Sequence, residues 1–157
     1  MKIRLLCMGK TDESIVQTGI EVYASRIKRY APFEIREVPS LKHASTLSIR
    51  EIISKECELI LRQLENGDFV VLLDERGKQF PSKEFASFLN QRFLSGGKSL
   101  VFVTGGAFGF DEKVRNRADF ILSLSKMTFP HQLVRLIFTE QLYRALTILR
   151  NEVYHHE

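Results

Sequence analysis

Apolar residues along the chain follow two rhythms. Phe69 to Leu73 is a continuous run with the length of a strand covered on both faces, and the runs Ile3 to Met8, Leu100 to Thr104 and Phe120 to Leu124 read as further strands. Phe33, Ile35 and Val38 add a short strand closed by Pro39. Between the runs the spacing changes to three and four. Ile15, Val22, Tyr23, Ile27 and Tyr30 predict a helix over about Asp12 to Tyr30, ended by Pro32. Ile49, Ile52, Ile53, Cys57, Ile60, Leu61 and Leu64 predict the clearest helix, stopped by Asn66-Gly67. Pro81-Ser82 opens a third, with Phe85, Phe88, Leu89 and Phe93 turned inward, and a short fourth covers Asp111 to Arg117. The last helix, about His131 to Arg150, is apolar almost all round, which predicts cover on more than one side, from the sheet and from a second subunit. Residues 41–47 are polar and basic and read as a loop. Strands alternating with helices predict an α/β fold with a mostly parallel sheet of about five strands, in one domain over residues 1–157.

Composition narrows this picture. A chain of 157 residues, 44% hydrophobic and 27% charged, can bury enough surface to fold without disulfides or a structural metal. Cys7 and Cys57 both lie in apolar patterns and read as buried free thiols. The N-terminus turns polar by Lys10, unlike a signal peptide, and no run reaches the ~18 apolar residues of a membrane span. A cytoplasmic protein without a membrane partner is expected. Twenty-three Lys+Arg against 19 Asp+Glu give a net charge of +4, compatible with a polyanionic partner but common among soluble proteins.

Open α/β sheets bind ligands at the carboxyl ends of their strands. Three such ends carry unusual residues: Asp74-Glu75-Arg76-Gly77 after Leu73, Gly105-Gly106-Ala107-Phe108-Gly109 after Thr104, and Ser125 to His131 after Leu124. The glycine cluster lets a backbone approach a ligand, or serves as a plain strand-to-helix turn. Its spacing is not GxGxxG, and no acidic residue follows at the distance a dinucleotide site needs, which argues against a dehydrogenase. Gly97-Lys98-Ser99 looks like the end of a P-loop, yet the first glycine of that motif falls on Arg92 and the segment precedes a strand. Leu124 to Pro130 is apolar and hydroxylic; it could wrap an adenine, or only connect a strand to a helix. Glu140 and Arg144, four apart, form an ordinary helical pair. His43 and His131 have no ligand spacing around them and the C-terminal histidines stand alone, so no metal site is expected.

Together these segments resemble one family. Val103 to Gly109, Leu122 to Arg135, Glu140 to Ala145 and the tail Tyr154-His155-His156-Glu157, in this order and spacing, are similar to the large-subunit ribosomal pseudouridine methyltransferase H family of the SPOUT class. The resemblance runs from the first strand and Gln17-Thr18-Gly19 to the last residue. It implies a C-terminal trefoil knot, a homodimer paired through the knot regions, and S-adenosylmethionine bound by Leu73, Gly105, Leu124, Ser125, Lys126, Met127, Thr128 and Phe129. The implied reaction is methylation of N3 of a pseudouridine in large-subunit ribosomal RNA, on the assembled ribosome. Loss of the N3 proton calls for a base. His155, assisted by Tyr154, is the candidate, with Arg144 orienting the acceptor base or its phosphate; a tail that only packs on the partner subunit is the plainer alternative. Lys28, Arg29, Lys42, Arg50 and Arg76 are candidate phosphate contacts. Residues 41–48 match no motif of the family. A non-catalytic ribosome-associated protein is the second rival, disfavoured by the intact glycine cluster and tail.

Overall fold

The computed structural model describes residues 1–156. Five strands, β1 (Lys2–Met8), β2 (Phe33–Val38), β3 (Asp68–Gln79), β4 (Ser99–Thr104) and β5 (Phe120–Ser123), form one sheet in the order β2-β1-β4-β3-β5. Every neighbouring pair is parallel. Four α-helices connect them, α1 (Ser14–Ile27), α2 (Ile49–Leu61), α3 (Ser82–Ser95) and α4 (Glu112–Arg117), and α5 (Leu133–Leu149) follows the last strand. A single turn of 3-10 helix, Ala44–Thr46, lies within the segment read as a loop.

Alternate side chains of each strand enter two cores. Ile3, Leu5, Cys7, Leu100 and Phe102 pack beneath α1, α3 and α5, through Ile27, Leu89, Phe138 and Leu142. Leu6, Met8, Val101 and Val103 face the other way, against Cys57 and Ile60 of α2 and Val114 of α4. Cover on both faces explains why β4 and the first half of β3 read as nearly unbroken apolar runs.

Two expectations change. On α1 the inward residues are Val16, Ile20 and Ile27, whereas Ile15 is 79% exposed and Val22 is exposed as well. The stripe is turned by about one residue because α1 packs against α5 as well as the sheet edge. On α2, Ile49 is exposed, since it opens the helix at a capping box in which Ser48 and Glu51 satisfy each other's backbone amides.

β3 is longer than its apolar run. Pairing with β5 proceeds through Leu73↔Leu122, then jumps to Lys78↔Leu122 and Gln79↔Ser123, so residues 74–77 bulge out of register. Gly77 is the contact point. A Cβ there would stand 2.5 Å from the Ile121 carbonyl oxygen, which only glycine avoids.

Arg135 of α5 is fully buried. Its Nη1 donates to Thr11 Oγ1 at 2.8 Å and its Nη2 to the Met8 carbonyl at 2.5 Å, tying the last helix to the end of the first strand. Beside it, Gln132 Oε1 accepts from the Asp12 and Glu13 amides, both at 3.1 Å, and its Nε2 donates to the Asp12 carboxylate. That bond, together with weaker contributions from His131 and Arg135, holds the Asp12 carboxyl below its ordinary range.

Candidate active site

The bulge of β3 and two loops at the carboxyl ends of β4 and β5 enclose a cleft of about 450 Å³. The β3 bulge supplies Asp74, Glu75 and Arg76; the glycine turn supplies Gly105 to Phe110; the segment after β5 supplies Leu124, Ser125 and Met127 to His131. Of the eight residues expected to hold a cofactor, Leu73, Gly105, Leu124, Ser125, Met127, Thr128 and Phe129 line this cleft. Lys126 is not among the lining residues and is exposed.

Local hydrogen bonds shape the walls. Ser125 Oγ accepts from the Met127 amide at 2.9 Å, and Ser123 Oγ donates to the Ser125 carbonyl at 2.9 Å, folding the segment back on itself. The Gly105–Gly109 turn closes through the Gly109 amide on the Gly106 carbonyl at 3.2 Å. A Cβ at Gly105 would come within 3.2 Å of the Gly109 carbonyl oxygen, filling the turn. Asp111 caps α4 through the Val114 amide, and its own amide donates to Cys57 Sγ at 3.2 Å, which anchors the turn to α2.

The chemistry of the lining is mixed. Phe108, Phe110, Phe129 and Pro130 give apolar walls suited to a planar heterocycle. Asp74 is ion-paired with Arg115 at 2.6 Å, while Glu75, Arg76 and His131 bring further polar groups to the cleft. Arg115 lies on α4 in a segment without a motif, and only its partnership with Asp74 reveals it.

The three residues proposed for catalysis stand apart from this cleft. Tyr154 donates to Glu140 Oε1 at 3.0 Å, Arg144 Nη2 reaches the same oxygen at 2.5 Å, and the Arg144 guanidinium lies 4.9 Å from the Tyr154 ring centroid. Tyr143 packs edge-on to Tyr154 at 4.7 Å. Burial, then the Tyr23 and Glu140 contacts, push the Tyr154 phenol well above its ordinary pKa, so it stays protonated and serves as a donor. His155 is half-buried and its Nδ1 has no hydrogen-bond partner. Arg144, Tyr154 and His155 therefore form one cluster on α5 and the tail, none of them lining the cleft of their own chain. Glu157 lies outside the described residues. Among the described residues no His, Cys, Asp or Glu group is placed to hold a metal ion, and no helix is long and apolar enough to cross a membrane.

Residues 1–155 match a family model described as predicted SPOUT methyltransferase. The chain is 53% identical over 156 residues to the ribosomal RNA large subunit methyltransferase H of Christiangramia forsetii, with 99% of each chain covered. It is 50% identical to the protein of the same name from Parabacteroides distasonis over the full length of both. Among solved structures, a probable methyltransferase from Bordetella pertussis aligns with a TM-score of 0.55 at 11% identity, over 92% of this chain and 93% of that one. A probable methylase family protein from Haemophilus influenzae aligns at 0.53 and 12% identity, over 95% of this chain and 66% of that one. At such identities these two similarities concern the fold.

Proposed function

Because the chain belongs to the SPOUT methyltransferase family, we propose that it methylates large-subunit ribosomal RNA with S-adenosylmethionine as donor. The finer reading is a transfer to N3 of a pseudouridine on the assembled ribosome, by a homodimer with a C-terminal trefoil knot. The reading places the work in the cytoplasm, where ribosomes are. Its main support is that Leu73, Gly105 and the 124–129 segment, from three separate parts of the chain, line one cleft.

The lining suits the donor. Apolar walls from Phe129 and Pro130 fit an adenine, the acidic Glu75 favours a cationic sulfonium or ammonium, and Arg76 and His131 can meet a carboxylate. Gly105 keeps the turn free of a side chain there. When bound, S-adenosylmethionine supplies a methyl group already activated on sulfur. The protein's own share is alignment of the two reactants, an entropic contribution of up to ~10 kcal/mol, and removal of the acceptor proton.

A homodimer resolves the separation of cleft and tail. Within one chain His155, Tyr154 and Arg144 are not among the residues that line the cleft. In the proposed dimer the tail of one subunit completes the cleft of the other. His155 then takes the N3 proton, Tyr154 offers its O–H, and Arg144, fixed by Glu140, orients the acceptor. Ile15 at the start of α1 and Leu133 at the start of α5 are exposed, and Gln132 links the two helix starts, which gives an apolar patch for that contact.

The test is incubation with methyl-labelled S-adenosylmethionine and ribosomes from cells lacking the endogenous enzyme. Label confined to one fragment of large-subunit RNA is the expected result. Absence of label, with S-adenosylhomocysteine binding intact, would remove this substrate and keep the fold.

A further inference from the structure

The chain has four tyrosines and no tryptophan, and all four tyrosines meet at one place. Tyr143 of α5 is the hub. Its ring centroid lies 5.9 Å from that of Tyr23 in α1, 6.0 Å from that of Tyr30 just beyond α1, and 4.7 Å from that of Tyr154 in the tail. The Arg26 guanidinium stands 5.6 Å from the centroids of both Tyr23 and Tyr143. Each of the four tyrosines is half-buried, so they line a seam at the surface where α1, α5 and the tail meet.

The backbone brings the tail to this seam. After α5, Asn151 takes a left-handed φ of 55°; its amide donates to the Ile148 carbonyl at 3.0 Å and the Glu152 amide to the Thr147 carbonyl at 3.1 Å. These two bonds close the helix and reverse the chain. Two phenol–carboxylate bonds then fasten the reversed segment. Tyr30 donates to Glu152 Oε2 at 2.5 Å, and Tyr154 donates to Glu140 Oε1, in the middle of α5, at 3.0 Å. Bonds to a charged acceptor are stronger than neutral ones. A short polar chain end normally frays. Residues 150–156 belong to neither core, so this fastening serves the tail itself and not the packing of the sheet.

We propose that the tyrosine cluster is a latch that holds the tail on its own subunit, and that Tyr30 and Tyr143 are positioning residues for His155. The proposal rests on the reading that His155 serves as base at the other subunit's cleft, and deepens it. A base must stand within hydrogen-bond reach, about 3 Å, of the proton it takes. A tail free to swing would hold the imidazole there for only a small part of the time, and a misplacement of about 1 Å already costs about 10²-fold. The latch ends on Tyr154, one residue before the imidazole, so His155 departs from a fixed point. Tyr30 and Tyr143 line neither cleft of their own chain, and their effect on the reaction passes through the tail.

The experiment measures kcat for methylation of ribosomes by Tyr30→Phe and Tyr143→Leu, each alone and combined with His155→Ala. S-adenosylhomocysteine affinity, thermal unfolding and the heteronuclear NOE of the His155 amide are measured alongside. Tyr30→Phe removes one hydroxyl and keeps the ring; Tyr143→Leu removes the hub. The expected fall in kcat is about 3–10-fold for Tyr30→Phe and about 10–100-fold for Tyr143→Leu, with cofactor affinity within about twofold and the His155 NOE reduced in the same order. On top of His155→Ala, either change should lower the residual rate by less than about twofold, because a misplaced base matters only while the base is present. Equal losses with and without His155 would overturn the proposal and make the cluster a scaffold. So would full kcat in Tyr143→Leu, or a His155 amide as rigid in the variants as in the wild type. If Tyr143→Leu does not fold, Tyr30→Phe and Glu152→Gln, changes at the surface end of the latch, decide; unchanged kcat and NOE in both would overturn it equally. Full turnover in His155→Ala alone would instead defeat the underlying reading of His155 as the base.

Discussion

At the scale of single residues, the tail cluster separates chemistry from packing. His155→Ala should lower the methylation rate by about 10²–10⁴-fold with little change in S-adenosylhomocysteine affinity, as loss of a general base does. Full turnover in that variant would take His155 out of the mechanism. The buried Arg4–Asp68 pair has a purely structural role. Asp68 also accepts from the Glu65 amide at 2.8 Å, so Asp68→Ala strands both a guanidinium and an amide. A loss of about 3–5 kcal/mol in denaturant unfolding is expected, whereas a joint change of both residues to apolar ones should recover most of it. The sequence exposed part of this scale and concealed part. Gly105 and Ser125 stand out because glycine and hydroxyl groups at a strand's end are unusual there. Arg115 and Arg135 sit in helices where a charge normally faces water, and their roles come from neighbours 40 or more positions away, Asp74 for Arg115 and Met8 for Arg135.

At the scale of elements, the β3 bulge is the feature that aims residues 74–76 into the cleft. Gly77→Ala would drive a methyl group into the Ile121 backbone. It should cost about 2–3 kcal/mol, a fall in Tm of roughly 5–10 °C, with cofactor affinity reduced because the bulge shifts. Calorimetry and S-adenosylhomocysteine titration check both parts; unchanged Tm would mean the bulge yields freely. β4 and the first half of β3 were legible as strands because their cover on both faces leaves no alternation to confuse. The second half of β3 was not. Asp74-Glu75-Arg76-Gly77-Lys78-Gln79 has the composition of a turn, and it is held as a strand only by pairing with β5, some forty residues later. The α1 stripe was misplaced by a residue for a related reason: Ile15 is apolar yet exposed, and a helix's own spacing cannot tell a core contact from a surface patch.

At the scale of the whole molecule, that patch carries a prediction. Sedimentation velocity should find a dimer, and the double change Ile15→Asp with Leu133→Asp should yield monomers that keep the circular dichroism of the parent and lose methylation. A double variant that remains dimeric would place the subunit contact elsewhere. The two cysteines report on unfolding instead. Cys7 and Cys57 are fully buried; burial raises both thiols, Cys57 to about 11, so little thiolate exists at pH 8. Reaction with a thiol reagent at pH 8 should follow the global opening rate and become immediate in denaturant. Rapid labelling of either cysteine in the native protein would show local opening of the core.

The bond from Arg135 to the Met8 carbonyl, 127 positions apart, has a consequence for synthesis. β1 lies inside the sheet, and one of its two neighbours, β4, begins only at Ser99. A growing chain therefore carries an apolar first strand with one edge unpaired until two-thirds of the protein exists, and its end stays unfastened until α5 emerges. At translation rates of ~5–20 residues per second, that wait lasts several seconds. The nascent chain can have no stable N-terminal half until β4 and α5 have emerged. A stop codon anywhere before Arg135 yields, on this logic, a substrate for proteases instead of a shortened enzyme.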